Sequence, residues 1–129
     1  MLYRGRGTLI VKDMGTTSLP VFRKMYDLNK YILQFVDKFP KAYKYNLGDK
    51  LVNTSLNLFK YLFSANRDKN RRIEFLESFL DDFDLLKVLI RLSNELRLFS
   101  ISDSAILAGL TENITKQVSG WRNKTEKSK

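Results

Sequence analysis

Basic side chains concentrate in three stretches of this sequence, and clustered cations of this kind bind polyanions. The stretches are residues 1–18, 67–72 and 116–129. Together they hold twelve Lys or Arg against three acidic residues, which accounts for the whole chain's net charge of +9. Because Lys and Arg neutralise phosphates, nucleic acid is the first partner that this pattern predicts.

The candidate nucleic-acid contacts in these stretches come from a leader, a loop and a tail. They are Arg4, Arg6, Arg67, Lys69, Arg71, Arg72, Arg122 and Lys124. Each has a plainer interpretation: the Arg-Gly-Arg-Gly leader can be a flexible extension, and the loop can be an ordinary solvated one. The loop and the tail together favour binding. Lys41 and Lys44 alternate with Tyr43 and Tyr45, which could stack on bases or pack beneath the loop.

Composition argues against catalysis. The chain has no Cys and no His, which removes disulfides, thiol nucleophiles, the common zinc ligands and the usual imidazole base. An acidic stripe follows one helix face at Glu74, Glu77, Asp81 and Asp84 and could in principle hold a divalent metal. Di-iron bundles also need His, so we interpret the stripe as solvated, or as facing a basic stripe on a neighbouring subunit. We predict a non-enzyme without metal or cofactor.

Apolar residues recur every three to four positions, which predicts four helices. The first runs from about residue 19 to 38, capped by Thr17 or Ser18 and stopped by Pro40. The second starts after Asn46 as N-cap, and its pattern breaks at 64–70. The third spans 71–99, and its apolar arc is wide enough to bury two sides, which suggests subunit contacts. A Ser100–Ser102 link caps the fourth, which reaches residue 122.

Short links between these helices predict an all-α, up-down-up-down four-helix bundle. This topology places both termini and the second loop at one end, so the three basic stretches meet there and Lys41 and Lys44 lie opposite. We divide the chain into a basic extension (1–18), the bundle (19–122) and a basic tail (123–129). No apolar run is long enough to span a membrane, and a cytoplasmic protein is the default expectation.

Short motifs resemble a known family. Residues 39–41 and 45–51 (Phe-Pro-Lys and Tyr-Asn-Leu-Gly-Asp-Lys-Leu) are similar to the first loop and second-helix start of four-helix-bundle proteins related to 23S rRNA intervening-sequence proteins. Residues 89–100 fit that family's arginine-leucine stretch, and Ser119-Gly120-Trp121 fits the end of its last motif. Within the family, the chain most resembles the accessory variability determinant (Avd) proteins of diversity-generating retroelements.

The resemblance implies a homopentameric barrel that binds the retroelement's reverse transcriptase and its RNA or DNA without reading sequence. It implies a non-catalytic accessory to mutagenic cDNA synthesis. It also adds Lys44, Lys50 and Lys116 as positions where the family often has arginine, with Lys41 beside them; lysine keeps the charge but loses bidentate phosphate geometry. The alternative is a bundle of the wider intervening-sequence group with no polymerase partner, and the genes beside it would distinguish the two.

Overall fold

The computed structural model describes residues 19–129, and within that range the chain forms four long helices and no strand. These are α1 (Pro20–Val36), α2 (Asp49–Arg67), α3 (Arg72–Glu95) and α4 (Ile101–Lys127). A helical turn (Lys41–Tyr43) and a π-helical turn (Lys44–Gly48) lead directly into α2. The all-α prediction is therefore confirmed for this part of the chain.

Each helix packs against the next one, and α1 packs against α4, so the four helices close into a bundle. Because the links are short, successive helices run in opposite directions. The start of α1, the 68–71 link and the end of α4 share one end, called here the terminal end. The other end, called the loop end, carries residues 37–48 and 96–100.

The core is formed by apolar side chains from all four helices. Met25, Leu58, Phe79 and Ile114 are among those with no significant exposure, and burying a side chain of this size contributes about 1.5–3 kcal/mol. A polar pair lies within the same core. The Ser55 hydroxyl donates to Asn29 Oδ1 at 2.9 Å, and Asn29 Nδ2 donates to the Met25 carbonyl at 3.0 Å. This satisfied pair links α1 to α2.

The first link differs from the prediction. Asn46 was expected to be the N-cap of α2, but it lies inside the π-helical turn and its side chain donates to the Ala42 carbonyl at 2.9 Å. The polypeptide resumes helical structure immediately after Pro40, so only residues 37–40 separate α1 from the helical turns. Gly48 packs against the end of α1, where a Cβ atom would lie 2.7 Å from Val36 Cγ1.

The third and fourth helices also end elsewhere than predicted. α3 ends at Glu95 and not at residue 99, because Arg97 has a left-handed backbone (φ 60°). The Leu98 amide donates to the Ser93 carbonyl and the Arg97 amide to the Asn94 carbonyl, both at 2.9 Å, which is a Schellman motif. The predicted cap at Ser100 is confirmed, since its hydroxyl accepts from the Asp103 amide at 3.0 Å. α4 continues through the predicted tail to Lys127.

Candidate nucleic-acid interface

The terminal end carries exposed cations that have no acidic partner among the described residues. Arg67 ends α2, Lys69 lies in the 68–71 link, and Lys124 lies in the last turns of α4. All three are exposed, and none forms a salt bridge within residues 19–129. These side chains can therefore bind an external anion without first breaking a salt bridge.

Arg71 belongs to the same loop but is paired. Its guanidinium donates to both carboxylate oxygens of Glu74, at 2.8 and 3.2 Å, and it lies 4.7 Å from the centre of the Phe75 ring. The hydrogen bonds and charge of Glu74 raise the pKa of Arg71, and those of Arg71 lower the pKa of Glu74. Glu74 therefore neutralises part of the positive charge that Arg71 could present to an external anion.

Arg72 has a structural task. Its guanidinium donates to the Ala65 carbonyl at 2.6 Å and to the Asn66 carbonyl at 3.2 Å. Those carbonyls belong to the last turn of α2, whose terminal acceptors have no partner within the helix. The same guanidinium lies 5.4 Å from the centre of the Trp121 ring. Arg72 therefore connects α2, α3 and α4 at the terminal end.

Arg122 is the most strongly paired of the predicted contacts. It donates to Glu77 at 2.6 Å and to Glu126 at 2.6 Å, and its side chain is 26% exposed. The hydrogen bonds that Arg122 donates to Glu77, and to a smaller extent to Glu126, raise the pKa of Arg122. The first of these pairs joins α3 to α4, so Arg122 links two helices of the bundle. Its phosphate contact stays a prediction.

The remaining predicted contacts lie elsewhere. Lys41, Lys44 and Lys50 are at the loop end, where Lys44 pairs with Asp37 at 3.4 Å. Lys116 lies near the middle of α4 and is 3.8 Å from Glu112. At a rise of about 1.5 Å per residue, the ends of α4 are about 40 Å apart. The predicted residues therefore lie at the two ends of the bundle, with Lys116 between them, and Arg4 and Arg6 lie outside the described residues.

The loop end has one feature suited to nucleic acid. Tyr45 is 66% exposed, and the Lys44 ammonium lies 5.8 Å from the centre of its ring. Tyr43 is only partly exposed and packs against the core. Of the two tyrosines singled out in the sequence, Tyr45 is thus available for stacking and Tyr43 packs beneath the loop.

The acidic stripe on α3 is divided among separate cations. Glu74 pairs with Arg71, Glu77 with Arg122, and Asp84 with Lys87 at 3.4 Å. Among residues 19–129, no group of three or more His, Cys, Asp or Glu is placed to hold a metal ion. No helix in the same range is long and apolar enough to cross a membrane.

Two further surface features stand out. The first is an exposed apolar stripe on α3, formed by Leu85, Val88, Leu92 and Leu96, which are 39–60% exposed. The wide apolar arc of the third helix indicated such a stripe, and none of the described residues covers it. The second is a cleft beside Trp121 at the terminal end. Three separate elements form it, so no local motif could have shown it.

Comparison with known proteins shows the family of the chain. A family model described as bAvd-like matches residues 20–125, which is most of the chain and nearly all of the described bundle. The match includes the loop, the π-helical turn and the last turns of α4 that carried the sequence resemblance. No curated protein matches the chain.

Proposed function

The chain belongs to the bAvd-like family, and from this we propose that it is a non-catalytic accessory protein of a diversity-generating retroelement. It binds the reverse transcriptase of the same element, together with template RNA or cDNA, and supports mutagenic cDNA synthesis in the cytoplasm. The nucleic acid is held through phosphates and its sequence is not read. Several copies of the chain, five by family resemblance, assemble to present the basic surfaces together.

The observation that carries the nucleic-acid part is the terminal end. Arg67, Lys69 and Lys124 are exposed there without an acidic partner among the described residues. Lys127 and Lys129 extend the same surface. A surface of this kind favours association with any polyanion and weakens steeply as salt is added.

The exposed stripe on α3 supports the assembly. Val88 is 60% exposed and Leu85, Leu92 and Leu96 continue its row, although an apolar row of this length is ordinarily covered in a stable protein. A second copy of the chain is the partner that the proposed assembly supplies.

Co-purification tests the proposal. The tagged chain is expressed with the reverse transcriptase encoded beside it, and the eluate is divided into untreated and nuclease-treated halves. We expect the polymerase and RNA in the first half and the polymerase alone in the second. If the polymerase is found in neither half, the accessory role is contradicted. The remaining alternative is then a bundle of the wider intervening-sequence group without a polymerase partner. A gene neighbourhood without a reverse-transcriptase gene would also contradict the accessory role.

A further inference from the structure

The cleft at the terminal end lies between the start of α1, the start of α3 and the last turns of α4. Its volume is about 540 Å³, which is within the range of about 300–1,000 Å³ found for small-molecule sites. Trp121 and Pro20 supply apolar surface, while Arg72, Gln117 and Lys124 supply polar groups. No acidic residue lines it among the residues described, so the cleft is apolar inside and cationic at its rim.

The planar groups of the cleft are held in place. Trp121 packs on the core and is only partly exposed. The Arg72 guanidinium is fixed 5.4 Å from its ring by the two carbonyls of α2 that it caps. Because these contacts already fix Arg72 and Trp121, binding a ligand in the cleft costs little further conformational entropy for either side chain. A flat aromatic ligand can therefore pack against the part of the indole that the core and Arg72 leave exposed.

The polar groups of the rim suit a phosphate and a ring edge. Lys124 is exposed and has no ion pair within 19–129. It lies one helical turn from Trp121, so its ammonium can reach a phosphate attached to a group in the cleft. The Gln117 side chain lies one turn before Trp121 and lines the same space. Its amide nitrogen donates to Asn113 Oδ1, so the amide oxygen is the group it offers to a ring edge. A nucleotide carries both an aromatic ring and a phosphate, so it matches both halves of the cleft.

We propose that this cleft holds one unpaired nucleotide of the RNA or cDNA strand, with its base against Trp121 and its phosphate on Lys124. The inference rests on the proposed nucleic-acid binding and adds to it a site that distinguishes unpaired bases from bare phosphates. The exposed cations alone would bind any polyanion equally. A polymerase side chain is the competing occupant, but a cationic rim with no carboxylate among the described residues favours the nucleotide.

Trp121 reports directly on the site because it is the only tryptophan in the chain. The full-length protein is titrated with a thymidine oligonucleotide and with an abasic oligonucleotide of the same length, at the same salt. We expect the thymidine strand to quench Trp121 emission and to bind about tenfold tighter, in line with base–aromatic stacking. The abasic strand should bind more weakly and leave the emission unchanged.

Two variants complete the test. Lys124→Gln should weaken binding of both strands, whereas Trp121→Leu should remove the preference for the thymidine strand and leave abasic binding as it was. Circular dichroism checks folding of the leucine variant, and the wild-type quenching result does not depend on it. Lys30→Gln, an exposed position midway along α1, serves as the charge-matched control.

The possible results distinguish failure of the nucleotide site in the cleft from failure of the proposed function. Equal affinity for both strands with unchanged emission overturns the nucleotide site and leaves the accessory role standing. Binding of neither strand overturns the nucleic-acid part of the proposed function.

Since the chain has no Cys, a fluorophore on Ser128→Cys labels the cleft uniquely. A response of that label to nucleic-acid-free polymerase, but not to oligonucleotide, assigns the cleft to the polymerase and overturns the proposal.

Discussion

Individual ion pairs decide which cations of the terminal end are available to a ligand. Arg71 and Arg122 each have a carboxylate within 2.8 Å, whereas Lys69 and Lys124 have none among the residues described. Simultaneous charge reversal of Arg71 and Arg72 is therefore a poor test of binding. It would also remove the cap of α2 that Arg72 provides, so it cannot distinguish a binding role from a structural one.

Releasing a paired cation should strengthen binding. Glu74→Gln removes the carboxylate that holds Arg71, which adds one phosphate contact and makes the salt slope for a single strand steeper by about 0.7. Binding of a fluorescent oligonucleotide at several salt concentrations measures this. Asp84→Asn, which frees Lys87 in the middle of α3, is the control and should not change the slope. An unchanged slope for Glu74→Gln would mean that Arg71 is not at the interface.

The same pair predicts a pH dependence. Arg71 lowers the pKa of Glu74 below its usual value near 4.5, so the ion pair is fully present above pH 4.5. It is lost only as pH falls through the lowered value, because protonation then releases Arg71. Acidification below pH 4.5 should therefore raise the oligonucleotide affinity of the wild type more than that of Glu74→Gln. Effects of the other carboxylates are common to both proteins and cancel in this comparison. Identical pH profiles would contradict this.

Element ends are set by contacts that a local pattern does not contain. α1 reaches only Val36, and the following turns pack so closely on it that Gly48 has no room for a side chain. Gly109, in contrast, has open space around its Cβ position within α4. The two glycines therefore provide a matched pair of helical positions that differ in packing.

Gly48→Ala should destabilise the bundle by about 1–3 kcal/mol, because the new methyl group must displace Val36. Gly109→Ala should stabilise it by about 1 kcal/mol, which is the helix-propensity gain without a clash. Urea denaturation followed by circular dichroism measures both. If Gly48→Ala proved as stabilising as Gly109→Ala, the close approach of the turn to α1 would be wrong.

Periodicity predicted that the four helices exist, because every buried stripe shows in the sequence. It misplaced the end of α3, since nothing local indicates that Arg97 adopts a left-handed conformation usually taken by glycine. The topology deduced from these helices also predicted which cations lie at the terminal end. It could not show that Glu77 neutralises Arg122, because 45 residues separate the two and only the packed bundle brings them together.

The whole molecule has a covered core and an uncovered apolar row on α3. If copies of the chain assemble through that row, Val88→Glu places a charge in the contact and should reduce the assembly to smaller species. Light scattering after size-exclusion chromatography measures the mass. Leu56→Glu is the control, because Leu56 is also exposed (45%) but lies on α2 and not on the α3 row. An unchanged mass for Val88→Glu would place the subunit contact elsewhere.

The central claim is that the exposed cations at the terminal end bind single-stranded nucleic acid. The most direct measurement compares Lys69→Gln/Lys124→Gln with Lys30→Gln/Lys60→Gln, two double variants of equal charge whose positions are all exposed. Affinity for one oligonucleotide is followed across salt concentrations. We predict that the first variant loses affinity and flattens the slope by about 0.7 per lost contact, while the second follows the wild type. Equal losses in both variants would show that net charge alone drives binding, and would contradict a defined interface.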